Sequence, residues 1–395
     1  MEQRRKKIII ISSVIGLLIL GGLAYYYFYP GGDKTINDLF GRLPALPGRR
    51  ITITPPPKPK PPKTKEELER EARLIQIVSK PIISPTLSKD GAKILYYAKA
   101  GGNLEAVGLD GKNEEKISNI TILGLLEALW QNPDKGAAIL TYIESGSGKR
   151  FISSTATSGV IFLPANVIAA NWSYDGKEIA YFINQKESFN LTIADEKAQK
   201  PTVVYSTPIP DFNIFWTSKN KILLASRPSG AAPGILFYFD RTKKAFNKIF
   251  SEAYGLTILP SPDGQNMLYA QTVPGGGNLK LYLAKIDGSE SQEIEAQTLP
   301  EKCVFKNGGV SVFCAAPKNI SAFGILPDDW YMGKGFFQDR FIEIITATTT
   351  ASASPAVKEV FNEKEFDAVN LFLSLDTQFL FFQDKKDGTL WRLKL

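Results

Sequence analysis

The chain has 395 residues, with 47 Lys and Arg against 40 Asp and Glu, two cysteines and no histidine. Without histidine the commonest general base, metal ligand and triad partner are all missing, and two thiols are too few for a thiolate zinc site, so the sequence supports no metal site and no cofactor. Residues 1–80 hold 15 of the basic and 7 of the acidic residues, which leaves 32 and 33 for residues 81–395; the body is close to neutral and lacks the cationic surplus that a nucleic-acid groove needs.

Arg4, Arg5, Lys6 and Lys7 form a basic tip over residues 1–7, followed by an uncharged apolar run from Ile8 to Phe28. A helix over that run spans roughly 31 Å, the thickness of a bilayer's hydrocarbon core. Residues 8–29 are therefore expected to form one transmembrane helix in the lipid bilayer, with Tyr25, Tyr26 and Tyr27 at the far interface. The positive tip places the N-terminus in the cytoplasm and the rest of the chain outside the cytoplasmic membrane, in the periplasm or extracellular space. A cleaved signal peptide is the rival reading, since Gly21-Gly22-Leu23-Ala24 offers small residues; the length of the apolar run and its aromatic end favour an uncleaved anchor.

Residues 30–63 read as a linker ending in the run Thr54 to Lys63, whose ten residues of polyproline II make a semi-rigid spacer of roughly 30 Å. Its lysines and prolines also suit a docking peptide or a cell-wall contact. Thr64-Lys65-Glu66-Glu67 fits a capping box for a short helix over residues 64–73, and Leu74 to Val78 reads as a strand.

From there the chain repeats. Turn anchors at Asp90, Asp134, Asp175, Lys219, Asp263, Asn307 and Asp376 are separated by 44, 41, 44, 44, 44 and 69 residues. Each precedes an apolar strand, such as Ile179-Ala180-Tyr181-Phe182 or Met267-Leu268-Tyr269-Ala270. A period of 40 to 45 residues with several short strands per unit predicts propeller blades, and unbroken apolar strands predict sheets covered on both faces. The expected fold is all-β: a seven-bladed propeller of four-stranded antiparallel blades over residues 74–395, with an insertion at about 317–359. The last unit stops at a third strand, Leu390 to Leu395, so Leu74 to Val78 is expected to supply its fourth and close the ring.

The stretch from Ser261 to Gly288 carries the pattern Ser-Pro-Asp-Gly, an apolar strand, Asn278-Leu279, a second apolar strand and Asp287-Gly288. It resembles the TolB-type propeller repeat, a relative of WD repeats found in bacterial envelope proteins and in prolyl oligopeptidase propellers. The resemblance covers residues 80–395, clearest in units one, three and five. It implies a binding or scaffolding role in the cell envelope, although the helical N-terminal domain associated with TolB has no counterpart here.

Cys303 and Cys314 flank Gly308-Gly309; if those glycines are the turn residues, the cysteines face each other across a hairpin, with Cα atoms about 4.5 or 5.5 Å apart, and form a disulfide in an oxidising compartment. Two reduced core thiols are the alternative. The insertion holds Asp328, Asp329, Trp330 and Tyr331, an aromatic and acidic group suited to a binding surface on one rim, or else to capping the core of unit six. The Thr346 to Pro355 run reads as a surface loop, and Ser145 to Lys149 as a hairpin turn and not a phosphate loop. No catalytic residue stands out. The favoured function is a non-catalytic, membrane-anchored module that binds or scaffolds a protein or cell-wall component. The alternative is a hydrolase or lyase acting on glycans or peptides through paired carboxylates in the propeller funnel.

Overall fold

The computed structural model describes residues 72–156, 159–210, 212–306, 309, 311–320, 323–346 and 355–395. The basic tip, the run expected to cross the membrane, the expected Pro-rich linker and all but the last two residues of the helix expected over 64–73 lie outside the described residues. Among the described residues no helix is long and apolar enough to cross a membrane.

In four blades a short fastened turn joins the first strand to the second. In blades one, three, five and seven the hydroxyls of Ser88, Ser173, Ser261 and Ser374 donate to Asp90, Asp175, Asp263 and Asp376 at 2.5–2.8 Å. The same hydroxyls accept the amides of Lys93, Glu178, Asn266 and Phe379, the first residues of the strand to come. These bonds hold the carboxyls of Asp90 and Asp376 below the usual carboxylate range, with the serine bond the largest cause. Glycine follows in blades one, three and five because its φ lies near +70° and because a Cβ on Gly176 would stand 2.4 Å from the carbonyl oxygen of Asn132 in the preceding blade.

The strands between these turns form seven four-stranded antiparallel sheets. Blade one runs from Ile82 to Lys116, two from Leu125 to Phe162, three from Val167 to Thr207, four from Phe212 to Tyr254, five from Thr257 to Ile294 and six from Cys303 to Phe361. Blade seven takes three strands from Ala368 to Lys394 and its outer strand from Leu74–Val78, with Leu74 opposite Leu393 and Gln76 opposite Trp391. The expected closure of the ring is what the structure shows.

The core consists of seven apolar layers, each built from two neighbouring blades. The layer at the closure joins Ile77 and Val78 to Ile94, Tyr96, Phe381 and Leu390. Indole bonds add to the stacking: Trp130 Nε1 donates to the carbonyl of Ser84 at 2.7 Å, and Trp172 Nε1 to that of Leu129 at 2.8 Å, each reaching the preceding blade.

Blade six departs from the expected outline. The stretch 317–359 is not one insertion, because the third strand, Asp339–Ile345, and most of the outer strand, Ala356–Phe361, fall inside it. The extra length sits in two connections: 318–338 between the second and third strands, and 346–355 between the third and the outer one. Cys303 and Cys314 pair in register on the first two strands and are disulfide-bonded, with Cα atoms 4.0 Å apart. Lys306 N donates to Ser311 O, which makes the cysteines a non-hydrogen-bonded pair, the closer of the two kinds.

Blades six and seven share a charged lock. Lys302, fully buried, donates from Nζ to Asp367 Oδ1 at 2.6 Å and to the carbonyl of Ala368 at 2.8 Å, and stands 2.9 Å from Asp339 Oδ2. Asp367 Oδ2 accepts Trp330 Nε1, and Asp339 Oδ2 accepts the amide of Ala368. Burial pushes the carboxyl of Asp339 up to about 6, against the pull of Lys302, and its Oδ1 has no hydrogen-bond partner among the described residues.

Three measurements check this account. Lys302→Met leaves two buried carboxylates unpaired and is expected to cost about 3–5 kcal/mol in denaturant unfolding, with part regained when Asp339→Asn is added. Ser261→Ala and Ser173→Ala should each lose about 1–2 kcal/mol, as one hydroxyl serves two bonds at a turn. Reduction of the Cys303–Cys314 disulfide should lower stability by about 2–4 kcal/mol.

Candidate binding face

The ring has two unlike faces. One carries the turns from first to second strand and from third to outer strand; the other carries the connections from second to third strand and those between blades. Antiparallel order fixes this division. Leu74 starts an outer strand, so the chain enters the ring on the turn face, whereas loop 318–338 lies on the opposite, crossover face. The third strand of blade six ends on the turn face, where Thr346 Oγ1 donates to the carbonyl of Gly309.

Loop 318–338 is draped over blades four and five. Leu326 N donates to the carbonyl of Gly276, and a Cβ on Gly276 would stand 2.5 Å from Leu326 N. The four residues singled out in the sequence come together here in one helical turn, Asp328–Tyr331. Asp328 accepts Ser229 Oγ at 2.9 Å and the amide of Gly230 at 2.7 Å, tying the loop to blade four. Asp329 accepts the amides of Gly324 and Ile325 and pairs with Lys334 at 2.6 Å, which holds its carboxyl low. Trp330 is buried over Lys302, with Lys385 Nζ 3.6 Å from its ring centre. Tyr331 donates to Glu301 Oε2 at 2.8 Å and stays 43% exposed.

The two acids and the indole thus fasten the loop, and what it offers outward is apolar. Ile325, Tyr331, Met332 and Phe336 are exposed, with Met332 the most open at 62%. Ile325 and the Met332 to Phe336 stretch carried no signal in the sequence, because a short loop has no period against which an outward side chain can be told from an inward one. Arg4, Arg5, Lys6, Lys7, Tyr25, Tyr26 and Tyr27, expected from the sequence to anchor the chain in a membrane, lie outside the described residues.

Two hollows open on the same face. A cleft of about 750 Å³ lies between blades two, three and four, lined by Arg150, Asn166, Asn184, Lys186, Phe189 and Arg227 among others. A hollow of about 410 Å³ at the mouth of the central channel is lined by Ser84, Lys99, Leu126, Glu127, Asn370 and Gln383 among others. Crowding by protein atoms raises the carboxyl pKa of Glu127, with Arg150 pulling the other way. Glu127 has a sequence signal in retrospect: it is the single charge in the apolar strand Leu125-Leu126-Glu127-Ala128-Leu129-Trp130. Among the described residues no group of three or more Asp, Glu or Cys side chains converges as a metal site would require.

No family model and no curated protein matches the chain. Solved structures do. An oligogalacturonate lyase in complex with manganese overlaps at TM-score 0.56 and 12% identity, over 82% of this chain and 90% of that one. The propeller domain of the Trilobed protease from Pyrococcus furiosus, described as having an open velcro topology, overlaps at TM-score 0.52 and 11% identity, over 81% and 96%. TolB from Acinetobacter baumannii gives a looser overlap, TM-score 0.44 at 12% identity over 81% and 64%. At such identities what this chain has in common with these proteins is the propeller ring itself; a TolB-type repeat family in the narrower sense is not established by it.

Proposed function

We propose that this chain is a non-catalytic binding module that holds a protein partner on the crossover face through loop 318–338. The observation that carries the reading is the contrast within that loop: Asp328, Asp329 and Trp330 are spent on internal bonds, while Ile325, Tyr331, Met332 and Phe336 face solvent. A surface that is rigid and apolar is suited to docking, because little side-chain and loop entropy remains to be lost on association. The TolB-like resemblance of the repeat agrees with a scaffold in the cell envelope.

Placement outside the cytoplasmic membrane, on an anchor formed by residues 8–29, belongs to the same proposal. It draws on the apolar run behind Arg4, Arg5, Lys6 and Lys7 and on the Cys303–Cys314 disulfide, which suits an oxidising compartment. A cell-wall contact through the lysines of the Pro-rich run remains part of this reading.

The hydrolase or lyase alternative draws on paired carboxylates. Among the residues lining the channel-mouth hollow Glu127 is the one acid, and Asp328 and Asp329 are held in internal bonds. The double substitution Met332→Asp with Phe336→Asp changes two exposed side chains and should leave the melting temperature within a few degrees of the parent. Affinity capture from solubilised envelope with the full chain is expected to recover a specific protein that the double variant loses. Recovery that is the same for both proteins would remove the loop from the proposal.

A further inference from the structure

The hollow at the channel mouth is framed by the innermost strands of blades seven, one and two. Ser84 and Asn370 sit where two of these strands slip register, and both hold a left-handed backbone, with φ of 46° and 52°. Such conformations are disfavoured for residues with a Cβ and gather where a backbone is shaped around a site. Here the two outliers flank the same hollow.

The polar groups around it are set but unfilled. Gln383 is fully used: its Nε2 donates to the carbonyl of Ile82 at 2.6 Å and its Oε1 accepts Asn370 Nδ2 at 2.8 Å. That bond fixes the amide of Asn370 and leaves its Oδ1 as an acceptor with no hydrogen bond among the described residues. Glu127 and Lys99 are opposite charges lining one hollow and do not pair with each other; the protein cation that acts on Glu127 is Arg150. Ile83 and Leu126 supply apolar wall between them, with Leu126 52% exposed.

We propose that this hollow binds a short peptide by its two charged ends. The peptide ammonium lies against the Glu127 carboxylate and Asn370 Oδ1, its carboxylate lies against Lys99 Nζ, and its side chains rest on Ile83 and Leu126. A lone cation would leave Lys99 beside it unanswered, and a lone anion would face Glu127. A zwitterion answers both charges, and a volume of about 410 Å³ is at the small-ligand end of the range for binding pockets. The site uses blades seven, one and two and does not depend on loop 318–338, so it stands or falls apart from the docking surface above.

Calorimetric titration of the full chain with the dipeptide Ala-Leu, with its N-acetyl form and with its C-terminal amide tests the assignment. The free dipeptide should bind saturably, and blocking either end should weaken binding about tenfold or more, the worth of a charge-assisted hydrogen bond. Glu127→Gln should erase the preference for a free amine and Lys99→Met the preference for a free carboxylate. Both residues are exposed, and an unchanged melting curve confirms that each variant keeps its fold. Absence of saturable binding, a preference for one end only, or preferences unaltered in both variants would overturn the proposal.

Discussion

A sheet that is apolar on both faces cannot stand alone, and this requirement governs the whole molecule. Each of the seven core layers takes its side chains from two neighbouring blades. The first blade therefore needs the last. Pairing of Leu74–Val78 with Leu390–Lys394 supplies the missing outer strand of blade seven and ties the start of the ring to its end. Antiparallel order then decides which loops share a face, since every turn is assigned to one side or the other.

Within that frame, polar groups do two different jobs. The Ser-Asp pairs of the first turns are local and repeat with the blades, and they satisfy backbone amides at the point where the chain reverses. The group of Lys302, Asp339 and Asp367 is buried and occurs at a single junction, that of blades six and seven. Buried ions give little net stability but tolerate little displacement. Through Trp330, whose indole donates to Asp367, the same group fixes the position of loop 318–338. A surface loop is thereby made part of the frame.

Much of the fold was legible in the chain because its defining bonds are short-range. The serine hydroxyl of each turn reaches an aspartate two residues on and an amide five residues on, so the whole motif is written in consecutive residues and recurs visibly. The disulfide was legible for a similar reason, as Cys303 and Cys314 sit at matched distances from a glycine turn. The outline of blade six was less so. Asp339–Ile345 was taken up in an expected insertion because the long 318–338 connection hides where the third strand starts.

What the amino-acid sequence determined by itself is the repeat, the number of blades and the strand that closes them, since each follows from hydrophobic period and from turns completed within a few residues. The roles of Lys302, Asp328, Glu127 and Lys99 were decided by the tertiary structure alone. Lys302 meets Asp367 across 65 positions and Asp328 meets Ser229 across 99, while Lys99 and Glu127 belong to different blades that line one hollow. No local pattern encodes such neighbours, because it is the curvature of the closed ring that brings them together.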